Sequence, residues 1–169
     1  GVVSRLRRIV EKPEAPAAQQ AVDLESIVRK TLYLLEPELQ ELNVKVAIAG
    51  ASAHVVADPV ALEQIVHNLL TNALQALAQV RADERTLVVD VHAVDGSASL
   101  TVRDSGPGIP ADALPHLFEP FFTTRKEGLG LGLSLCESLA AGMNGLVLAE
   151  NVAPRGAAFS LRLPLAPNP

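Results

Sequence analysis

The stretch Asp104-Ser-Gly106-Pro-Gly108-Ile109 decides how the fold of this chain is interpreted. It follows the alternating run 97–103, so the aspartate stands where a predicted strand ends and a glycine turn begins. A carboxylate buried at such a place needs a hydrogen-bond donor to offset its lost hydration. Asp-x-Gly-x-Gly is also a common turn sequence, in which the aspartate only caps the backbone. The neighbouring segments must therefore decide between a plain turn and a ligand site.

An amide-bearing helix is predicted upstream, over the run Glu63-Gln-Ile-Val-His67-Asn68-Leu-Leu-Thr71-Asn72. Asn68 and Asn72 are four residues apart, so they share one helix face beside an apolar stripe. Asparagine is unfavourable inside helices, and two of them on one face indicate contact with a ligand. Solvent-facing asparagines are the alternative. Glu63 and His67 stay open between ligand contact and an ordinary hydrated surface.

A glycine-rich loop lies downstream, where Gly128-Leu-Gly130-Leu-Gly132-Leu133 leads into a predicted helix. Bare backbone N–H groups at a helix N-terminus form a cradle for phosphate. No Gly-Lys-Ser/Thr follows, so the loop is not a Walker A motif, and its spacing differs from the dinucleotide-binding fingerprint. The loop therefore predicts a phosphate site of another kind.

Size and composition restrict the class of protein. A chain of 169 residues is about one domain with a sizeable core. Its net charge of −5 argues against nonspecific contact with nucleic acid or an anionic membrane. No apolar run reaches the roughly 20 residues of a spanning helix. The single cysteine, Cys136, fits a cytoplasmic location and is expected to pack in the core rather than to react.

Hydrophobic periodicity gives the order of the elements. A helix capped by Asp23 is predicted over 24–42, with an interruption at Pro37, and a second helix opens at Asp58-Pro59. Asp95-Gly96 joins two alternating runs in a predicted hairpin. The third helix is predicted over 131–141, and strands over 44–48, 55–56, 87–94, 97–103, 146–150 and 157–163. This order predicts an α+β two-layer sandwich, with helices covering one face of a mixed sheet.

The three segments in this order resemble the N, G1 and G2 boxes of the GHKL ATP-binding superfamily, and most closely the catalytic domain of a bacterial sensor histidine kinase. The resemblance covers about residues 20–165 and implies the Bergerat fold. The segment Phe118–Leu133 is most similar to kinases of the nitrogen-regulation, oxygen-sensing and dicarboxylate-sensing type. Sensor histidine kinases transfer the γ-phosphoryl group of ATP to a histidine in two-component signalling.

The resemblance implies roles for individual residues. Asp104 accepts a hydrogen bond from the adenine amine, Asn72 coordinates Mg²⁺, and Asn68 lies near the phosphates and the metal. Thr71 or Thr101 is an alternative helper through a bridging water. Asn68, Asn72 and Lys126 are the expected catalytic residues. The expected ATP-binding set is Asn68, Asn72, Asp104, Gly106, Gly108, Ile109, Phe118, Thr123, Thr124, Arg125, Lys126, Gly128, Leu129, Gly130, Leu131, Gly132 and Leu133.

The amide at position 68 bears on the type of reaction. Relatives of the gyrase and Hsp90 type that hydrolyse ATP carry a glutamate at the matching position, where it activates water as a general base. The carboxamide of Asn68 cannot accept a proton at neutral pH, which favours a kinase over an ATPase. Two rivals remain: a GHKL-type ATPase, and an ATP-sensing module that binds a partner without transferring phosphate.

The segment Phe118-Glu-Pro-Phe121-Phe122-Thr-Thr resembles the F box, which hinges the lid over ATP. Arg125 and Lys126 follow it and are placed to meet phosphate oxygens. Core packing of the phenylalanines is the alternative reading, and we expect it for at least one of them. For Arg125 and Lys126 the alternative is a hydrated basic pair.

The phosphoacceptor histidine of a complete kinase is normally followed by an acidic residue. His54, His67, His92 and His116 are followed by Val, Asn, Ala and Leu, so none fits. We expect residues 1–20 to be the end of a dimerisation-hairpin helix and a linker, 21–165 the catalytic domain, and 166–169 a flexible tail. The implied partners are the parent's dimerisation and phosphoacceptor domain and the receiver domain of a response regulator. The parent's anchoring in the inner membrane stays open.

Overall fold

A computed structural model describes residues 19–122 and 132–167 of the chain. Its elements follow the predicted order, with one additional strand at the start. The helices are α1 Leu24–Leu34, α2 Glu36–Glu41, α3 Pro59–Leu77 and α4 Gly132–Ala141. The strands are β1 Gln20–Asp23, β2 Lys45–Gly50, β3 His54–Ala57, β4 Thr86–Val94, β5 Ser97–Asp104, β6 Leu146–Asn151 and β7 Ala157–Pro164.

The main sheet has five strands in the order β2-β4-β5-β7-β6. β2 runs parallel to β4, and the other neighbours are antiparallel, so the sheet is mixed as predicted. Asp95 and Gly96 close the β4–β5 hairpin with φ values of 49° and 80°. Two successive positive φ values are typical of a type I′ turn, which suits the right-handed twist of a hairpin.

The helices cover one face of this sheet. Side chains alternate along β5, so Leu100, Val102 and Asp104 point toward the helices and are buried, while Thr101 and Arg103 point to the opposite face. The apolar stripe of α3 packs into the same core. The predicted α+β two-layer sandwich is therefore confirmed, and Asp104 ends its strand on the covered face.

Two aspartates begin helices as predicted. The Asp23 carboxylate accepts a hydrogen bond from the Glu25 backbone N–H at 3.1 Å, and Asp58 accepts one from Val60 at 3.0 Å. The first helical segment ends at Leu34, and α2 starts at Glu36 with Pro37 in its first turn. Proline removes a backbone donor and fits only the first turn of a helix, which explains the break.

The strand β1 was not predicted, because a linker was expected up to residue 20. It pairs antiparallel with β3, from Gln20 opposite Ala57 to Asp23 opposite His54. The other edge of β3 forms an isolated bridge from Val55 to Leu165. In the part of the chain that the structure describes, no helix is long and apolar enough to cross a membrane.

Candidate functional site

The carboxylate of Asp104 is a buried charged group at the end of β5. The residue is 3% exposed. Its Oδ1 accepts hydrogen bonds from the N–H of Gly106 at 2.8 Å and of Ala157 at 3.4 Å. Its Oδ2 is buried and has no hydrogen-bond partner among the described residues. Burial raises the pKa of Asp104, and the bonds from Gly106 and Ala157 oppose that rise. An orphaned buried oxygen of this kind fits a ligand that brings its own donor.

The glycine turn after Asp104 lies against α3. A Cβ on Gly106 would stand 2.9 Å from Asp104 Oδ1 and 3.0 Å from Ala76 Cβ. Any residue other than glycine at this position would therefore require these neighbours to move. Gly108 has a φ of 84°, a backbone angle that residues with a side chain rarely adopt. The two glycines thus bring the backbone close to the helix beside the orphaned carboxylate oxygen.

The amides predicted as ligands lie along the same helix. Asn68, Asn72 and Ala76 are spaced by four residues, so they form one row that is about 12 Å long at 1.5 Å per residue. Ala76 meets the glycine turn at one end, and at the other the Asn68 Nδ2 donates to the Gly132 carbonyl at 3.4 Å. Asn72 lies between them and is half-buried. One face of α3 therefore connects the first glycine segment to the second.

The middle of α4 lies against α3 at Cys136. Its Sγ lies 3.8 Å from the carbonyl oxygen of Ile65, and burial raises the pKa of the thiol to about 11. A thiol with so high a pKa is not a nucleophile at neutral pH. Cys136 is a packing residue, as predicted.

Asn151, at the end of β6, holds the glycine turn and was not singled out from the sequence. Its Oδ1 accepts from the N–H of Ile109 at 2.7 Å, and its Nδ2 donates to the Ile109 carbonyl at 2.8 Å. The two residues are 42 positions apart, and an asparagine before a turn is ordinary, so no local signal could have found this pair.

Arg155 holds the other side of the turn. Its Nε donates to the Ser105 carbonyl at 3.1 Å, and its guanidinium bonds Glu84 Oε2 at 2.9 Å. Ser105 Oγ in turn donates to the Glu84 carbonyl at 2.6 Å and accepts from the Thr86 N–H at 2.8 Å. Asp104 to Ile109 is therefore anchored from both ends by the β6–β7 turn.

The remaining candidate side chains of α3 and β5 have varied surroundings. Glu63 forms an ion pair with Lys30 of α1, and His67 is exposed. Thr71 Oγ donates to the Asn68 carbonyl at 3.3 Å. Thr101 lies on the opposite face of the sheet from Asp104 and bonds Ser160 at 3.1 Å, so it does not assist Asp104.

The F-box phenylalanines divide into two groups. Phe118 and Phe122 are partly buried against the core, as expected for at least one of them. Phe121 is 75% exposed with a φ of 69°. The predicted ligands Thr123, Thr124, Arg125, Lys126, Gly128, Leu129, Gly130 and Leu131 lie outside the described residues.

No group of three or more histidine, cysteine, aspartate or glutamate side chains that could hold a metal occurs within residues 19–122 and 132–167. Mg²⁺ bound with a nucleotide differs from such a cage, because it takes one or two protein ligands, substrate phosphates and several waters. Gly132 and Leu133, the last predicted phosphate contacts, begin α4, where Leu133 is partly buried against the core.

A mixed sheet backed by helices, with a strand-end aspartate beside a glycine turn, is the architecture of a GHKL ATP-binding domain. Comparison with known proteins agrees: residues 57–167 match the family of histidine kinase-, DNA gyrase B- and HSP90-like ATPases (HATPase_c). The chain is 34% identical to the sensor histidine kinase TmoS of Ectopseudomonas mendocina over 97% of its length, which is 17% of TmoS. It is 38% identical to the C4-dicarboxylate transport sensor protein DctB of Pseudomonas aeruginosa, over 88% of this chain and 25% of DctB.

Solved structures show the same relationship. The catalytic domain of histidine kinase ThkA superposes with a TM-score of 0.78 at 26% identity, over 86% of this chain and 95% of that domain. Full-length ShkA, solved in complex with AMPPNP, gives a TM-score of 0.77 at 30% identity, over 90% of this chain and 32% of ShkA.

The chain therefore belongs to the histidine kinase-, DNA gyrase B- and HSP90-like ATPase family. The predicted resemblance to the catalytic ATP-binding domain of a sensor histidine kinase is confirmed. The chain spans 17% to 35% of the length of the curated relatives it matches.

Proposed function

We propose that this domain binds Mg-ATP and donates its γ-phosphoryl group to a histidine on a dimerisation and phosphoacceptor domain of the parent protein. That histidine then passes the phosphoryl group to the receiver domain of a response regulator. The family match, the sensor-kinase relatives and the similarity to AMPPNP-bound ShkA support the proposal. Residues 1–20, 21–165 and 166–169 are proposed as hairpin end with linker, catalytic domain and tail, except that Gln20 belongs to β1 of the catalytic domain.

The orphaned Oδ2 of Asp104 carries the proposal of an adenine nucleotide. The exocyclic amine of adenine is a donor that would satisfy this oxygen, whereas guanine presents a carbonyl at the same place and would repel it. Oδ1 is already held by two backbone N–H groups, so Oδ2 is the oxygen left to read the base. Gly106, Gly108 and Ile109 would line the base.

The other end of the α3 row would take the phosphates. Asn68 and Gly132 meet there, and α4 begins at Gly132, so its first N–H groups and its dipole favour an anion. Asn72 would contribute a carboxamide oxygen to Mg²⁺, which neutralises phosphate charge during transfer. Arg125 and Lys126, with the loop from Gly128 to Leu131, would complete the phosphate contacts, and Lys126 would act on the transferred group.

Transfer is favoured over hydrolysis because the described pocket offers no general base at position 68. The Asn68 side chain donates to the Gly132 carbonyl, and a carboxamide cannot take a proton from water. An ATP held beside Asn68 would therefore keep its γ-phosphoryl group for an acceptor. The proposed acceptor lies on a separate domain, since none of the four histidines of the chain has the expected neighbour.

Calorimetric titration with Mg-ATP and Mg-GTP tests the nucleotide site, using the unaltered chain and Asp104→Asn. We expect ATP to bind roughly tenfold more tightly than GTP, since a mismatched buried polar group costs about 1–3 kcal/mol and about 1.4 kcal/mol corresponds to tenfold. The carboxamide of the variant turns a donor or a weak acceptor toward the base, so that selectivity should vanish. Equal affinity of the two proteins for ATP would contradict the proposal.

A second experiment separates kinase from ATPase and from a binding module. The chain is mixed with labelled ATP and the phosphoacceptor domain of its own parent protein. Label on that domain's histidine, with little phosphate release in its absence, supports the kinase. Release that needs no acceptor indicates an ATPase, and binding with neither reaction indicates a sensing module.

A further inference from the structure

We infer that Asn151 is a positioning residue for adenine recognition, and this rests on the proposed nucleotide site. The Asn151 side chain fixes the position of the Ile109 backbone, and thereby the position of the loop from Asp104 to Ile109. The family resemblance assigned no role to Asn151. Its hydrogen bonds to Ile109 are formed within the chain, without a ligand.

The bond pair is complementary in both directions. Ile109 N–H donates to Oδ1 at 2.7 Å, and the Ile109 carbonyl accepts from Nδ2 at 2.8 Å. Only a primary amide offers one acceptor and one donor at this spacing, so the side chain of Asn151 takes the place that a neighbouring strand would have in a sheet. The two partners fix the orientation of the amide. In the reverse orientation, Nδ2 would face the Ile109 N–H, donor against donor, and Oδ1 would face the Ile109 carbonyl, acceptor against acceptor.

Two glycines let Asn151 approach the loop. A Cβ on Gly108 would stand 3.0 Å from Asn151 Oδ1, and a Cβ on Gly156 would stand 1.9 Å from the Asp104 carbonyl oxygen. Both glycines have positive φ, 84° and 112°. The β6–β7 turn is thus packed against the loop from Asp104 to Ile109, and Asn151 bonds the last residue of that loop.

The Asn151 side chain contributes little to the core. The residue is exposed, and its side-chain amide bonds the N–H and the carbonyl of Ile109. Its backbone pairs with Ala157 in the last position of the β6–β7 ladder, which a change of side chain leaves in place. A loop without these bonds would have to become ordered as the base binds, and that ordering lowers affinity.

The test compares Asn151→Leu and Asn151→Asp with the unaltered chain. Leucine has a side chain of similar size but can form neither hydrogen bond. Aspartate keeps the acceptor for the Ile109 N–H but turns a second carboxylate oxygen toward the Ile109 carbonyl. We expect ADP affinity, measured by calorimetry, to fall roughly tenfold in both variants, as for loss of a hydrogen-bonded pair. Glu150→Gln, one position earlier on the opposite face, is the matched control and should bind ADP like the unaltered chain.

Hydrogen exchange at the Gly106 amide, whose bond to Asp104 Oδ1 the leucine variant keeps, distinguishes positioning from general stability. In the unaltered chain this amide should exchange slowly with and without ADP. In Asn151→Leu it should exchange rapidly alone and slowly with saturating ADP, while the melting temperature stays within about 3 °C.

Three results would overturn the inference. Unchanged ADP affinity in both variants would remove it and leave the nucleotide site intact. A large fall in melting temperature with no gain of Gly106 protection on ADP binding would show a purely structural role. Failure of the unaltered chain to bind ADP would remove the proposed function itself, and with it this role of Asn151.

Discussion

The Asn68 side chain and the Gly132 carbonyl meet at 3.4 Å, so the amide-bearing helix touches the residue that begins α4. The contact joins two segments that are 64 positions apart in the chain. It places the group at position 68 beside the proposed phosphate site, where the proposed function assigns it the choice between water and another acceptor.

Asn68→Glu should raise ATP hydrolysis without an acceptor. A carboxylate at this position can accept a proton from water, and a positioned general base typically accelerates reactions by about 100-fold or more; a transplanted base should give at least about tenfold. Phosphate release is measured for Asn68→Glu and for Asn68→Gln, which adds length without basicity. Equal rates for the two variants would contradict the assignment of position 68.

Asp104 should make stability depend on pH in a direction opposite to most carboxylates. Burial raises its pKa above the ordinary 3.8, so between 3.8 and the raised value the folded chain binds the proton more tightly than the unfolded chain. The stability that this group contributes is fully present below 3.8 and is lost as pH rises through the folded pKa. Relative to Asp104→Asn, the melting temperature of the unaltered chain should therefore fall as pH rises. A difference that stays constant with pH would contradict this.

Gly106→Ala should weaken both folding and nucleotide binding. The added methyl would stand 2.9 Å from Asp104 Oδ1 and 3.1 Å from the Ala76 backbone carbon, which must give way. Such overpacking costs about 1–3 kcal/mol of unfolding free energy, and the shifted carboxylate should lower ADP affinity. Urea denaturation and calorimetry measure the two effects.

Gly142→Ala is the control for that variant, because a Cβ there meets only ordinary contacts at 3.5 and 3.8 Å. It should leave both quantities within experimental error. If Gly106→Ala behaves like Gly142→Ala, the turn is less tightly packed against α3 than the distances indicate.

Arg85→Met should destabilise the fold without affecting the nucleotide site. The guanidinium donates to the carbonyls of Val80 at 3.0 Å, Leu42 at 2.8 Å and Ala78 at 3.3 Å, and so binds the ends of α2 and α3 together. Methionine keeps the apolar stem but leaves these carbonyls without their charged hydrogen-bond donor. We expect the free energy of unfolding to fall by about 2 kcal/mol. Arg103→Met, on the exposed sheet face, should change stability by less than about 0.5 kcal/mol in the same denaturation experiment.

Local chemistry made most of the fold predictable. Asp58-Pro59 begins α3 and Asp95-Gly96 closes the hairpin because each pair has a strong backbone preference that the tertiary structure does not oppose. Strand β1 escaped prediction because it has four residues and gains its partners only from β3, more than 30 positions later. Short strands depend on pairing rather than on propensity.

The candidate site was predictable to the extent that its residues lie in motifs. Asp104, Asn68 and Asn72 stand out because polar residues are unexpected at buried strand ends and on apolar helices. Asn151 and Arg155 do not stand out, since polar residues beside a turn are common and their partners are distant. What the sequence could not supply is the long-range contact that holds the loop in place.

β3 lies between β1 on one edge and Leu165 on the other, which brings the two ends of the described chain to the same part of the domain. Two strand spacings separate the first and last described segments, so they run roughly 10 Å apart. A flexible bridge long enough to cross β3 and run back along it could join them, and new termini could be opened in the exposed Asp95-Gly96 turn without crossing the proposed nucleotide site. The domain is thus suited to circular permutation, with its polypeptide order changed and its pocket left whole.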